Sequence, residues 1–307
     1  VMCGMKNTFD LQIQSTASDG RHTPTEIVTM ATEEQLSVIA ITDHDSVAGV
    51  AAAIHAAGSM GIRVIPGIEM SVEEHGVHLL GFGINYENQT LLSELARMRE
   101  ERIASAQKMV ANLKAAGFII EWNEVAREAS GDVVARPHIA RALLLHAENG
   151  DKLGNAASTH DVIERVLTDT SPYYVSRAHI IAKDAIALIH SAGGLAAWSH
   201  PAIHFRQDYE GLEKFLQELI AWGLEGMEIF NPSHTEDDVE FLESLAVRYR
   251  MLRTAGSDFH EKGPHLAGEN GLHSARTVGD YETYGFPTDM IIAELDVAIA
   301  RHKRVSL

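Results

Sequence analysis

The chain has 307 residues, 45% hydrophobic and 22% charged, an ordinary globular composition with room for one large domain or a domain carrying an insertion. A single cysteine, Cys3, excludes an internal disulfide framework, and no apolar run reaches the roughly 18 residues that a membrane-spanning helix needs. A formal net charge of −18 argues against a long nucleic-acid footprint, but not against a small anion held where local cations reverse the field.

The first third alternates strand and helix signals. Residues 9–14 read as a strand, and 24–34 as a helix opened by Thr23 and Pro24. "LSVIAIT" (36–42) is a continuous apolar run, as buried parallel strands tend to be. An alanine-rich helix follows over 47–59, then strands over 62–70 and 77–84. Residues 90–116 form one long amphipathic helix pattern, with further helical stretches near 138–147 and 159–168. No convincing strand lies between about 88 and 172, so 89–172 reads as a helical insertion or cap. The rhythm then resumes: helix 180–192, strand 194–200, helix 209–222, strand 226–230, helix 236–249 and strand 252–258. Residues 261–286 are loop-like, and 287–302 close the chain as a helix. Repeated β/α units of this kind predict an α/β sheet or barrel. With no charged-then-apolar leader before Asp10, a soluble cytoplasmic protein is expected.

Catalytic side chains in such folds sit at the C-terminal ends of strands. Here strand one brings Gln12, Gln14 and then Asp19, and strand two ends in "TDHD", with Asp43, His44 and Asp45. Strand three ends in Glu69, and strand four carries His78 near its start. Later strands end in "WSHP" (His200), "EIFNPSH" (Asn231, His234) and "GSDFH" (Asp258, His260). A single histidine after a strand is usually structural. Six strands doing the same converge on one cluster, and clustered imidazoles and carboxylates need cations to offset their desolvation. Of the 17 histidines, His22, His55, His75, His146, His160, His190 and His204 lack this placement and read as surface or structural groups. Alternation puts residues 12 and 14 on one strand face, about 7 Å apart.

Together "DLQIQSTASDG", "ITDHDS", "PGIEMS", "VHLLGFGI", "WSHP" and "GSDFH", in this order, resemble the PHP (polymerase and histidinol phosphatase) family. With an insertion containing "ARPHIAR" (135–141), the chain is similar to the small metal-dependent phosphoesterases of that family. These act on 3′,5′-bisphosphonucleotides, short oligoribonucleotides or cyclic phosphodiesters. The resemblance implies a distorted (β/α)7 barrel built from 1–88 and 173–307, with 89–172 as a mainly helical insertion contributing substrate contacts. It also implies two to three divalent ions (Mn, Mg, Zn or Fe) at the strand C-termini. One would be held by Asp19, His44 and His260, and a second by Glu69, His78 and His200. Glu69 would bridge to a third, completed in the family by two first-strand histidines and by the residue here numbered Asp258.

The chain departs from the family at that first-strand pair, with Gln12 and Gln14. An amide oxygen is a hard and weak donor beside an imidazole nitrogen. The expectation is an all-oxygen third shell that holds its ion weakly or not at all, with the other two sites loaded.

The implied activity is hydrolysis of a small phosphoester, such as a nucleotide, by a metal-activated hydroxide. Glu69 and Asp258 would serve catalysis, and Arg136 and His138 of "ARPHIAR" would serve catalysis and phosphate binding. Asn231 and His234 are weaker candidates for a second phosphate or the sugar, and Arg141 is expected to face solvent or a carboxylate. The alternatives are a cyclic phosphodiesterase, a histidinol-phosphatase-like enzyme, an amidohydrolase-type enzyme or an impaired nucleotide-binding protein. No lysine ends a strand to form the carbamylated bridge of some amidohydrolases. Long nucleic acid and membrane are not expected partners.

Overall fold

The structure, a computed structural model, describes residues 7–129, 134–154, 156–168, 170–175, 180–206, 208–262 and 277–305. Seven strands form one sheet in sequence order: β1 (Phe9–Asp10), β2 (Val38–Ile41), β3 (Arg63–Ser71), β4 (His78–Phe82), β5 (Leu195–Trp198), β6 (Gly226–Phe230) and β7 (Leu252–Ala255). Neighbours run parallel except β4, which is antiparallel to both β3 and β5. The outer strands meet. Leu11 N donates to Ala255 O at 3.0 Å and Gln14 N to Phe259 O at 2.9 Å, with Ile13 bridging Phe259 in parallel. The result is a nearly closed, distorted barrel, which leaves little open sheet edge. Gly256 permits the closure, because a Cβ there would stand 2.6 Å from the Gln12 backbone nitrogen.

The first strand is shorter than its pattern suggests. After Asp10 the backbone divides its hydrogen bonds between both neighbours, and the Thr42 hydroxyl accepts from Ile13 N at 3.1 Å in place of a ladder carbonyl. β2 is four apolar residues, all buried, with helices outside. Helix α1 (Pro24–Glu33) starts at a capping box between Thr23 and Glu26 with Pro24 in the first turn, and α2 (Val50–Ala57) follows β2.

Helix α3 (Gln89–Ala115) runs 27 residues from an Asn88 cap. Its first half puts Leu91, Leu95 and Met98 into the barrel's apolar core. Its second half puts Ala106, Met109, Val110 and Leu113 into a separate core with α5 (Arg136–Leu144) and α6 (Thr159–Val166). Between them lies α4 (Trp122–Glu128), a short helix not anticipated from the sequence and opened by reciprocal bonds between Glu121 and Glu124. Among the described residues no strand falls between β4 and β5. Helices α7 (Ala182–Ser191), α8 (Tyr209–Ala221), α9 (Glu236–Tyr249) and α10 (Ile291–Val305) complete the outer layer. Most of the loop expected over 261–286, namely 263–276, lies outside the described residues, as does Cys3. No described helix is long and apolar enough to cross a membrane.

Candidate metal centre

The parallel strands deliver their last residues to one mouth of the barrel. β4 runs the other way, so it is its first residue, His78, that arrives there, paired with Ser71 at the end of β3. Gln12 and Gln14 share a face, as alternation requires, and both reach Glu69. Loops after β2, β5 and β7 carry three non-glycine residues with positive φ: Asp45 (49°), His200 (29°) and Asp258 (50°). Such backbones cost of order 1–3 kcal/mol each and persist where surrounding structure holds them.

Seven ligand-type side chains meet at this mouth. Donor atoms of Asp19, His44 and His260 lie within 4.8 Å of one another, as do those of His44, Glu69 and His78. His260 Nε2 stands 3.6 Å from Asp19 Oδ1, and His44 Nδ1 stands 3.6 Å from Glu69 Oε2. Glu69 Oε1 meets His78 Nδ1 at 3.0 Å and His200 Nε2 at 3.3 Å. Asp258 Oδ1 is 3.9 Å from His260 Nδ1. His44 thus stands between the Asp19 and Glu69 groups.

The electrostatics fit a cation site. Burial works against the Asp19 charge, yet His44 and His260 overcome it and hold this carboxyl down at about 2. Fully buried Glu69 is likewise kept well below the carboxylate range against its desolvation, by His44, His200 and His78. His260 rises to about 9, since Asp19 and Asp258 outweigh its burial, whereas burial lowers His78. Among the described residues, four buried atoms of this cluster have no hydrogen-bond partner: Asp19 Oδ1, His44 Nδ1, His200 Nδ1 and Asp258 Oδ1. Each such atom costs about 1–3 kcal/mol when left unmet, and divalent cations would satisfy several at once. Asp19, His44 and His260, and Glu69 with His78 and His200, therefore fit the ions that the fold implies.

The first-strand pair does not fit a third ion. Gln14 Nε2 donates to Glu69 Oε2 at 2.5 Å, and Gln12 Nε2 donates to Glu69 Oε1 at 3.2 Å and to Ser199 Oγ at 2.8 Å. The amide oxygens face elsewhere. Gln14 Oε1 accepts from His44 N at 3.1 Å, a backbone donor that settles which way the amide points. Gln12 Oε1 accepts from Asn231 Nδ2 at 3.2 Å, and Asn231 is oriented in turn because its Oδ1 accepts from Ser233 N at 3.0 Å. Both amide oxygens are thus engaged away from Glu69, that of Gln14 by the His44 backbone N–H and that of Gln12 by the Asn231 side-chain amide.

Above the mouth lies a cavity of about 370 Å³. The barrel side contributes Asp19, His44, His75, His78 and His204, and the helical side Arg102, Arg136 and Tyr174. Arg136 lies over the Tyr174 ring, 5.7 Å from its centroid, and donates to Leu167 O at 3.3 Å. His138 is buried rather than on the cavity wall. Its Nδ1 accepts from Ala135 N at 2.9 Å, which leaves the ring proton on Nε2, and burial lowers its pKa to about 4. Arg141 Nε faces Glu128 at 3.2 Å. Asn231 and His234 are also buried below the mouth. Asn231 is occupied by Gln12, Glu228 and Ser233, while His234 Nδ1 meets Ile229 O at 2.8 Å.

Three groups near the cluster escaped the sequence reading. Arg102 is buried on α3 and ion-paired with Asp45. His204 lies 5.7 Å from His200, ring to ring, and burial with its histidine neighbours lowers it to about 3. Glu228 has no exposure, is raised well above the carboxylate range by burial and by Asp258 and Glu69, and accepts from His200 N at 2.9 Å. The spacing "HPAIH" was the available signal for His204. Arg102 carries no comparable signal, being one of many charged residues in the amphipathic pattern of 90–116.

Known proteins share this arrangement of strands. Over 258 residues the chain is 33% identical to the 3′,5′-nucleoside bisphosphate phosphatase of Chromobacterium violaceum, spanning 83% of this chain and 88% of that protein. It is 31% identical over 266 residues to the 5′-3′ exoribonuclease Rnm of Salmonella typhimurium, spanning 84% and 87%. A solved structure of an amidohydrolase from Chromobacterium violaceum, with bound sulfate and no metal, superimposes with a TM-score of 0.80 at 31% identity, covering 94% of this chain and 96% of that one. Another, from Bifidobacterium adolescentis and provisionally described as a metal-dependent phosphoesterase, gives 0.74 at 28% identity, covering 87% and 92%. The PHP domain family matches residues 10–226, and the chain belongs to that family.

Proposed function

We propose that the chain is a metal-dependent phosphoric ester hydrolase acting on a small phosphorylated substrate of the nucleoside 3′,5′-bisphosphate type. The observation that carries this reading is the convergence of Asp19, His44, Glu69, His78, His200, Asp258 and His260 beneath a cavity that Arg102 and Arg136 enter from the opposite wall. Relatives named as a bisphosphate phosphatase and an exoribonuclease support it.

Two cation positions are assigned, one to Asp19, His44 and His260 and one to Glu69, His78 and His200. Divalent ions held there would supply Lewis acidity to phosphoryl oxygens and to a water near neutral pH. The planar guanidinium of Arg136, stacked on Tyr174, orients the phosphate by a charge-assisted fork, and residues 89–172 act as a cap that brings it there. His138 positions the start of α5 rather than touching substrate. With Gln12 and Gln14 filling the third position, Asp258 Oδ1 is left to accept the proton of the attacking water.

A second reading, a catalytically impaired nucleotide-binding protein, is favoured by the two amides that donate to Glu69. Phosphate release from a nucleoside 3′,5′-bisphosphate with added Mn²⁺ separates the two, run on the chain and on Gln12→His/Gln14→His. Chelator-sensitive release by the unaltered chain is expected, rising about tenfold or more in the double variant. Binding without release by the unaltered chain, with turnover only in the double variant, establishes the impaired protein. No release by either overturns the hydrolase reading.

A further inference from the structure

A second ligand cluster lies at the other end of the barrel. Glu225 stands one residue before β6, whereas Asn231 follows the strand at the catalytic mouth. Six extended steps separate them, about 20 Å. His190, in the last turn of α7, places Nε2 3.0 Å from Glu225 Oε2, and His302 of α10 directs Nε2 at the other oxygen, Oε1. All three donor atoms fall within 4.8 Å of one another. The rings stack with centroids 5.1 Å apart and planes at 28°. Glu225 Oε2 is also held by Ala196 N at 2.9 Å, and Gly223, where a Cβ would stand 3.1 Å from His190 Cε1, leaves space for the ring.

We propose that His190, Glu225 and His302 form a separate zinc site at the base of the barrel, its fourth position open to water. Two imidazoles and one carboxylate are a donor set suited to zinc, and a ligand held from behind by a backbone N–H is already oriented for it. One divalent ion can meet all three donor atoms at once. Each side chain retains 26–30% exposure, so an ion can enter from solvent. The ligands come from α7, the start of β6 and α10, so the ion would clip the C-terminal helix to the barrel base. That helix also packs Ile291, Leu295 and Ile299 on the core and pairs Asp296 with Arg63 at 2.8 Å.

The test uses Zn²⁺ alone, counted per chain after equilibrium dialysis, on the full chain and on His190→Ala/His302→Ala, with zinc-edge anomalous diffraction from the unaltered protein. The double variant is expected to bind one equivalent fewer, to lose the zinc-dependent part of the rise in melting temperature, and to keep its Mn²⁺-supported phosphatase turnover. Diffraction is expected to show a peak between the two Nε2 atoms and Glu225. Equal zinc in a variant that circular dichroism shows to be folded, or diffraction without that peak, overturns the proposal. If the variant fails to fold, the diffraction result alone decides.

Discussion

Glu69 gathers more partners than any other carboxylate at the mouth: two glutamine amides, Ser199, His78, His200 and His44. It stays ionised without exposure because those groups replace water around it. Arg136 has the opposite character, a guanidinium on the cavity wall that lies over an aromatic face and donates to Leu167 O. Replacing it with alanine should raise KM for a nucleoside bisphosphate about ten- to a hundredfold, the worth of one charge-assisted bond. Initial-rate kinetics check this, and an unchanged KM would remove Arg136 from phosphate recognition. The seven cluster residues were legible because Glu69 lies near the end of a strong apolar strand, His78 begins one, and the others lie on segments that follow one. His204 and Glu228 were not. One stands after a proline-led turn, and the other is a strand residue whose charge is suppressed only by neighbours distant in sequence.

At the scale of elements, α3 joins two apolar cores, and Arg102 lies at the junction. Its guanidinium pairs with Asp45, whose Oδ1 accepts from Ser71 N at 2.9 Å and whose backbone is in the left-handed region. Arg102→Met should cost about 3–5 kcal/mol, because it removes a buried guanidinium paired with a buried carboxylate. Urea unfolding measures the loss, and Asp45→Asn/Arg102→Met should recover part of it. A loss below about 1 kcal/mol would mean that the pair is dispensable. The helix period showed α3 and its length, but a charged residue turned inward breaks that period only once. Helix α4 was missed because it has only seven residues and a single buried position, Val125.

Across the whole molecule, a chain of net charge −18 concentrates imidazole and guanidinium groups around one cavity. Without ions, the Asp19–His260 pair helps to hold that mouth together. His260 is raised in the folded chain from 6.5 to about 9, so its contribution is fully present below pH 6.5 and is lost as pH climbs through about 9. In chelator, the urea midpoints of the unaltered chain and His260→Ala should therefore differ most below pH 6.5 and converge above about 9. A gap that widens with pH would reverse the assignment. The β/α rhythm made an α/β sheet or barrel legible, and the family resemblance chose the barrel. The triad of His190, Glu225 and His302 was not, since its members start or end elements at the end of the barrel where no chemistry was expected.

Manganese-edge anomalous diffraction from crystals soaked in Mn²⁺ bears most directly on metal-dependent hydrolysis at the barrel mouth. Two peaks are expected there, one among Asp19, His44 and His260 and one among Glu69, His78 and His200, with none between Gln12 and Gln14. A mouth with no peak at either position would contradict the hydrolase, and a third peak coordinated by the two glutamines would contradict the role given to their amides.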